Sequence, residues 1–135
     1  MILFVDDEKR RADNYVDELE ESGEDVVLKV DVDKALGFFD KNIAEINLLV
    51  LDIMMPYGSS FGDVDTESGI RTGVCFYKRI REKAPNLPVI ILTNVKDPDV
   101  KGQFDNENRC WFYNKEEKLP SEFRDEVKRI LSQEG

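Results

Sequence analysis

The stretch Asn47 to Pro56, NLLVLDIMMP, constrains the chain more than any other. Four apolar residues, Leu48 to Leu51, run into a single carboxylate at Asp52, and a Met-Met-Pro turn follows. A continuous apolar run this short, closed by proline, reads as a strand buried on both faces of a parallel sheet. Such a strand delivers its last residue to the carboxyl edge of the sheet, where open α/β folds hold their ligands. A lone Asp there has the core behind it and solvent in front. That makes Asp52 a candidate for chemistry.

The rest of the chain repeats the pattern. Ile2 to Val5 is another short apolar run, and it ends in Asp6, Asp7 and Glu8. Lys9 to Glu21 carries Ala12, Tyr15, Val16 and Leu19 at helical spacing, with Gly23 placed for a left-handed C-cap. Val26 to Val32 reads as a strand, and Asp33 as the cap of a helix whose inner face is Leu36, Phe39 and Ile43. A loop rich in Gly, Ser and Asp follows at about 57–71. Helix resumes near Thr72, with Val74, Tyr77 and Ile80 on one face, and Ala84-Pro85 ends it. Val89 to Leu92 is a fourth apolar run, closed by Thr93-Asn94. Asp97-Pro98 opens a weak helix with little apolar face beyond Val100 and Phe104. Cys110 to Tyr113 is a fifth short strand and meets Lys115, and Phe123, Val127, Ile130 and Leu131 stripe a final helix begun near Ser121. Alternating strands and helices with short connections predict a parallel sheet covered on both faces, as one domain over 1–135.

Composition narrows the function. The formal net charge of −10 disfavours direct contact with nucleic acid or an anionic membrane through a basic surface. The chain has no histidine, which excludes Ser-His-Asp and Cys-His catalysis, His-ligated zinc and a phosphohistidine of its own. Cys75 and Cys110 lack paired-ligand spacing and read as apolar fillers. No run approaches membrane-spanning length, and Met1 leads straight into ILFVDD without a cleavable-signal pattern. The expected location is the cytoplasm, with reduced thiols.

Polar residues recur at the ends of the apolar runs: Asp6 and Asp7, Asp52, Thr93, then Lys115. In a parallel sheet these ends share one edge. Each alone has a plain explanation, since a single Asp after a strand is commonly a turn former or cap, and acidic residues near a helix start are favoured by the dipole. Together they are harder to explain structurally. Three gathered carboxylates repel unless a cation shares them, and oxygen-only donors suit a hard ion such as Mg²⁺. Lys115 adds a fixed positive charge and Thr93 a hydroxyl, a set that fits a tetrahedral anion joined to Asp52.

Four motifs in order, FVDDE at Phe4 to Glu8, LDIMMP at Leu51 to Pro56, ILTN at Ile91 to Asn94 and FYNK at Phe112 to Lys115, resemble those of the response-regulator receiver domain of two-component signalling. The resemblance covers essentially the whole chain. It implies a doubly wound, flavodoxin-like α/β fold with a five-stranded parallel sheet in the order 2-1-3-4-5. It implies that Asp52 is the phosphoacceptor, served by a histidine kinase or a histidine phosphotransfer protein. Mg²⁺ would be held by Asp7, Asp52 and the backbone carbonyl of Met54, with Asp6 acting through water. Lys115 would neutralise the phosphoryl group, Thr93 would move toward it, and Phe112 would turn inward as the switch aromatic. The altered surface would then engage a downstream protein whose identity the sequence leaves open.

Departures from the family pattern bear on the switch. The loop after Pro56 is longer than usual, so that Gly73 falls where a family glycine normally comes sooner. Glu116 replaces a proline whose preceding peptide is often cis, and Asn94 replaces a small residue beside Thr93. Met54 and Val95 offer no group to hold an attacking water, which predicts a long-lived phospho-form. A calcium loop at Asp63, Asp65 and Glu67 fails, because Ser68 and Val74 stand where glycine and the closing Glu are required. The expected reading is a stand-alone signalling or relay protein, or a fragment of a larger regulator. The rivals are a phosphorylation-independent adaptor, for which clustered carboxylates serve no purpose, and an aspartyl phosphatase. The latter needs a second Asp where Met54 stands.

Overall fold

The computed structural model describes residues 1–54, 70–95 and 98–134. The turn at Met55-Pro56, nearly all of the 57–71 loop with its calcium-like residues, and the Asp97 cap lie outside them. The described elements are β1 (Ile2–Val5), α1 (Lys9–Glu21), β2 (Val26–Lys29), α2 (Val32–Asn42), a 3₁₀ turn (Ile43–Glu45) and β3 (Leu48–Leu51). They continue with α3 (Ile70–Lys83), β4 (Val89–Thr93), α4 (Pro98–Gly102), β5 (Cys110–Asn114) and α5 (Pro120–Glu134). The five strands form one parallel sheet in the order β2-β1-β3-β4-β5, as expected.

Because side chains alternate along a strand, each central strand feeds two separate cores. Leu3, Val5, Leu49, Leu51, Val89 and Ile91 pack with Leu36 and Phe39 of α2 and with Phe76, Tyr77 and Ile80 of α3. Ile2, Phe4, Leu48, Val50, Ile90 and Leu92 pack on the other face with Ala12, Tyr15, Val16 and Leu19 of α1 and with Phe123, Val127 and Ile130 of α5. All four residues of β1 and of β3 are buried, which is why those segments read as unbroken apolar runs. The edge strands β2 and β5 are only half-buried.

Four local expectations need correction. β2 ends at Lys29, and Asp31 rather than Asp33 caps α2: its backbone is extended and its carboxylate accepts the Lys34 N–H at 3.0 Å. Asp33 sits in the first turn, where its charge still favours the helix dipole. Ile43 leaves the inner face, being 41% exposed at the start of the 3₁₀ turn. In α3, which begins at Ile70, Tyr77 and Ile80 are buried as expected, but Phe76 joins them on the inner face while Val74 is only half-buried. Cys75 and Cys110 are free and half-buried rather than deep fillers, and burial pushes the Cys110 thiol up to about 11. Gly23 does adopt the left-handed conformation, φ 98°, that ends α1.

The strand register positions the polar residues at the sheet edge. Val5 lies opposite Leu51, Leu51 opposite Ile91, and Thr93 opposite Asn114. The next residues along, Asp6, Asp52 and Lys115, therefore emerge together beside Thr93. The pairing continues past the strand ends, with the Asp6 N–H on the Lys29 carbonyl at 3.1 Å, Asp52 N–H on Val5 at 2.9 Å and Lys115 N–H on Thr93 at 2.9 Å.

Candidate functional site

Asp6, Asp7 and Asp52 each place a carboxylate oxygen within 4.8 Å of the others. Asp6 and Asp52 are buried and Asp7 is exposed. The Lys115 ammonium, with its side chain only 5% exposed, lies 2.8 Å from Oδ2 of Asp6 and 2.8 Å from Oδ2 of Asp52. The other Asp52 oxygen, Oδ1, accepts the Thr93 hydroxyl at 2.7 Å and the Met54 backbone N–H at 3.0 Å. Thus the sheet edge gathers Asp6, Asp7, Asp52, Thr93 and Lys115. Met54 is 39% exposed, and its backbone enters the site through the amide donor.

Phe112 stands apart from this cluster. It packs half-buried against the α2–α3 core with its ring 5.9 Å from Phe104, and lines a cavity of about 430 Å³ with Val95, Pro98, Lys101, Asn114 and Glu117. Its neighbour Trp111 packs on the opposite core. No peptide among the described residues is cis, so the Lys115–Glu116 bond is trans.

The electrostatics follow from crowding. Burial pushes the Asp6 carboxyl up to about 6, with Lys115 opposing the rise and the Asp52 charge adding to it. Burial and then the Asp52 charge also raise Asp7. Lys115 loses from burial but gains more from Asp52 and Asp6, and its pKa is raised. It stays charged at neutral pH.

The donor set suits a hard divalent cation. All three side chains offer oxygen, and the buried Asp6 Oδ2 has the Lys115 ammonium 2.8 Å away. The sign of the resulting pH dependence is fixed. Folded Asp6 holds its proton more tightly than the unfolded chain does, whose value is 3.8. The stability linked to that proton is present below the unfolded value and lost as pH rises through about 6, on the order of 3 kcal/mol in all. A bound cation would replace the lost proton. At a hundredfold excess over Kd, Mg²⁺ is expected to stabilise the protein by about 2.7 kcal/mol near neutral pH and much less near pH 5. Thermal melts with Mg²⁺ or with chelator at the two pH values check this, and equal shifts at both would refute it.

The chain matches a response-regulator receiver domain protein from Clostridium thermocellum at TM-score 0.78 and 20% identity, over 98% of this chain and 94% of that one. The receiver domain of the Francisella response regulator 1452 matches at TM-score 0.78 and 23% identity, over 99% and 98%. The Vibrio cholerae chemotaxis protein CheY4 matches at TM-score 0.72 and 21% identity, over 96% of each chain. The fold is therefore that of the response-regulator receiver domains. No protein-family model and no curated protein sequence matches the chain. No helix among the described residues is long and apolar enough to cross a membrane.

Proposed function

We propose that this protein is a phosphoacceptor of a two-component or phosphorelay system, taking a phosphoryl group from a phosphohistidine of another protein onto Asp52. The observation that carries the reading is the buried Asp52 carboxylate, held on one side by Lys115 and on the other by Thr93 and the Met54 amide, at the edge of a receiver-type sheet. A carboxylate oxygen attacks phosphorus, the bond to the donor imidazole breaks, and the product is an acyl phosphate on Asp52. Asp7 and Asp52, with Asp6 behind them and the Met54 carbonyl, would hold Mg²⁺. When bound, the ion offsets charge on the transferring group. Lys115 supplies the second positive charge, and Thr93 is the hydroxyl placed to follow the new phosphoryl oxygen.

The donor in this reading is a histidine kinase or a histidine phosphotransfer protein; the chain has no histidine, so the phosphohistidine is supplied in trans. The readout is a changed surface around Phe112 and its cavity, presented to a downstream protein. The protein thus promotes its own phosphorylation and dephosphorylation without turning over an independent substrate. Cytoplasmic signalling without direct nucleic-acid or membrane contact is consistent with the charge of −10.

The test is intact mass after incubation with Mg²⁺ and acetyl phosphate. The wild type is expected to gain one phosphoryl mass and Asp52→Ala none. A wild type that binds Mg²⁺ but never gains mass, even with beryllofluoride failing to bind, overturns the reading in favour of a constitutive adaptor. The phospho-form is expected to be long-lived, because neither Met54 nor Val95 can orient a water for attack. Met54→Asn and Val95→Glu should each shorten its half-life by roughly tenfold. Equal decay in all three proteins would count against that explanation.

A further inference from the structure

We infer that Tyr15 is a positioning residue for Lys115, acting through the backbone of the loop that carries it; the inference rests on the phosphoacceptor reading for its consequence but not for its geometry. Tyr15 lies on the inner face of α1 and is 7% exposed. Its ring stacks edge-on against Phe123 of α5 at 5.4 Å, which accounts for an aromatic residue there but not for a hydroxyl. The hydroxyl donates to two carbonyls a hundred residues along the chain, Lys115 at 3.1 Å and Lys118 at 3.0 Å. A phenol has one proton, so the two carbonyls share it. Burial raises the Tyr15 pKa, and the group stays a donor across the physiological range.

The consequence is a three-point fixing of Lys115. Its N–H is held by the Thr93 carbonyl at 2.9 Å, its own carbonyl by Tyr15, and its ammonium by Asp6 and Asp52. The loop beyond it is closed by Asn114, whose side chain accepts the Glu116 N–H at 2.8 Å and whose carbonyl accepts that of Glu117 at 3.0 Å. β5 ends at Asn114, and among the described residues no ladder bond holds the Lys115 carbonyl. Tyr15 does. A lysine whose ammonium must meet a transferring phosphoryl group works only if its Cα cannot drift, because misplacement by about 1 Å costs rate steeply.

The test compares Tyr15→Phe, which removes only the hydroxyl, with Phe123→Leu, which loosens the same α1–α5 packing and leaves the hydroxyl in place. Two quantities are read: acetylation of Lys115 by acetic anhydride, mapped by mass spectrometry against Lys41 as an exposed reference, and the phosphorylation rate from acetyl phosphate at saturating Mg²⁺. Tyr15→Phe is expected to raise Lys115 labelling several-fold and to lower the phosphorylation rate roughly tenfold, with Mg²⁺ affinity within about twofold of wild type. Phe123→Leu is expected to lower thermal stability and change neither quantity. Unchanged Lys115 labelling in Tyr15→Phe overturns the inference, as does equal labelling in the two variants. Raised labelling with an unchanged rate removes its catalytic relevance. Raised labelling in a protein whose wild type takes no phosphoryl group upholds the positioning and overturns the phosphoacceptor reading instead.

Discussion

Gly73→Ala is expected to destabilise the fold by about 3 kcal/mol or more, at the upper end of what overpacking costs. A Cβ at Gly73 would lie 2.2 Å from Ile53 Cα, 2.3 Å from its carbonyl oxygen and 2.6 Å from its carbonyl carbon. All three are backbone atoms, so no rotamer change relieves the collision. Either α3 lifts from the sheet, exposing Phe76, Tyr77 and Ile80, or the chain at Ile53 moves. Ile53 lies between Asp52 and Met54, whose N–H holds Asp52 Oδ1, so the second route disorders the site. Urea denaturation measures the first effect, and Mg²⁺ titration of the folded fraction measures the second. A loss below about 1 kcal/mol would mean that α3 adjusts at little cost and that the close approach is not a constraint.

Lys115→Met is expected to cost about 3 kcal/mol near neutral pH, the low end for breaking a buried ion pair. Methionine fills much of the same space, so the loss is electrostatic: Asp6 and Asp52 are left facing each other without their shared cation. The low end applies because Asp6, already raised to about 6 beside Lys115, has protonation as an escape. Without the lysine its pKa rises further. As with the wild type, the folded state of the variant is favoured at low pH and penalised as pH rises, so the deficit should shrink markedly near pH 5. Mg²⁺ should restore part of the neutral-pH loss while leaving phosphorylation impaired, since the second charge on the phosphoryl group is gone. Chemical denaturation at the two pH values, with chelator and with Mg²⁺, checks each statement. A deficit independent of pH would place the destabilisation in packing rather than charge.

Much of this molecule is legible in the order of its residues, and the reason is local. β1, β3 and β4 are short apolar runs closed by polar residues, and α1 shows Ala12, Tyr15, Val16 and Leu19 at a spacing that only a helix puts on one face. From five such units a parallel sheet follows, and with it the convergence of Asp6, Asp7, Asp52, Thr93 and Lys115 on one edge. The boundaries that failed are those where two chemically equivalent choices lay within reach. Asp31 and Asp33 can each cap a helix, and the choice fell to whichever residue the departing edge strand left extended.

What the tertiary structure alone decided is how those residues are held. The periodicity that marks Tyr15 as inward-facing says nothing about its hydroxyl, because its acceptors are backbone carbonyls, which every residue carries and no side chain announces. The need for glycine at position 73 arises from a backbone passing within contact distance from another element. The division of the Asp52 oxygens, one for Lys115 and one for Thr93 and the Met54 amide, likewise depends on distances between strands. Burial periodicity is written in one segment at a time, whereas a hydrogen bond to a distant backbone exists only once both segments have folded.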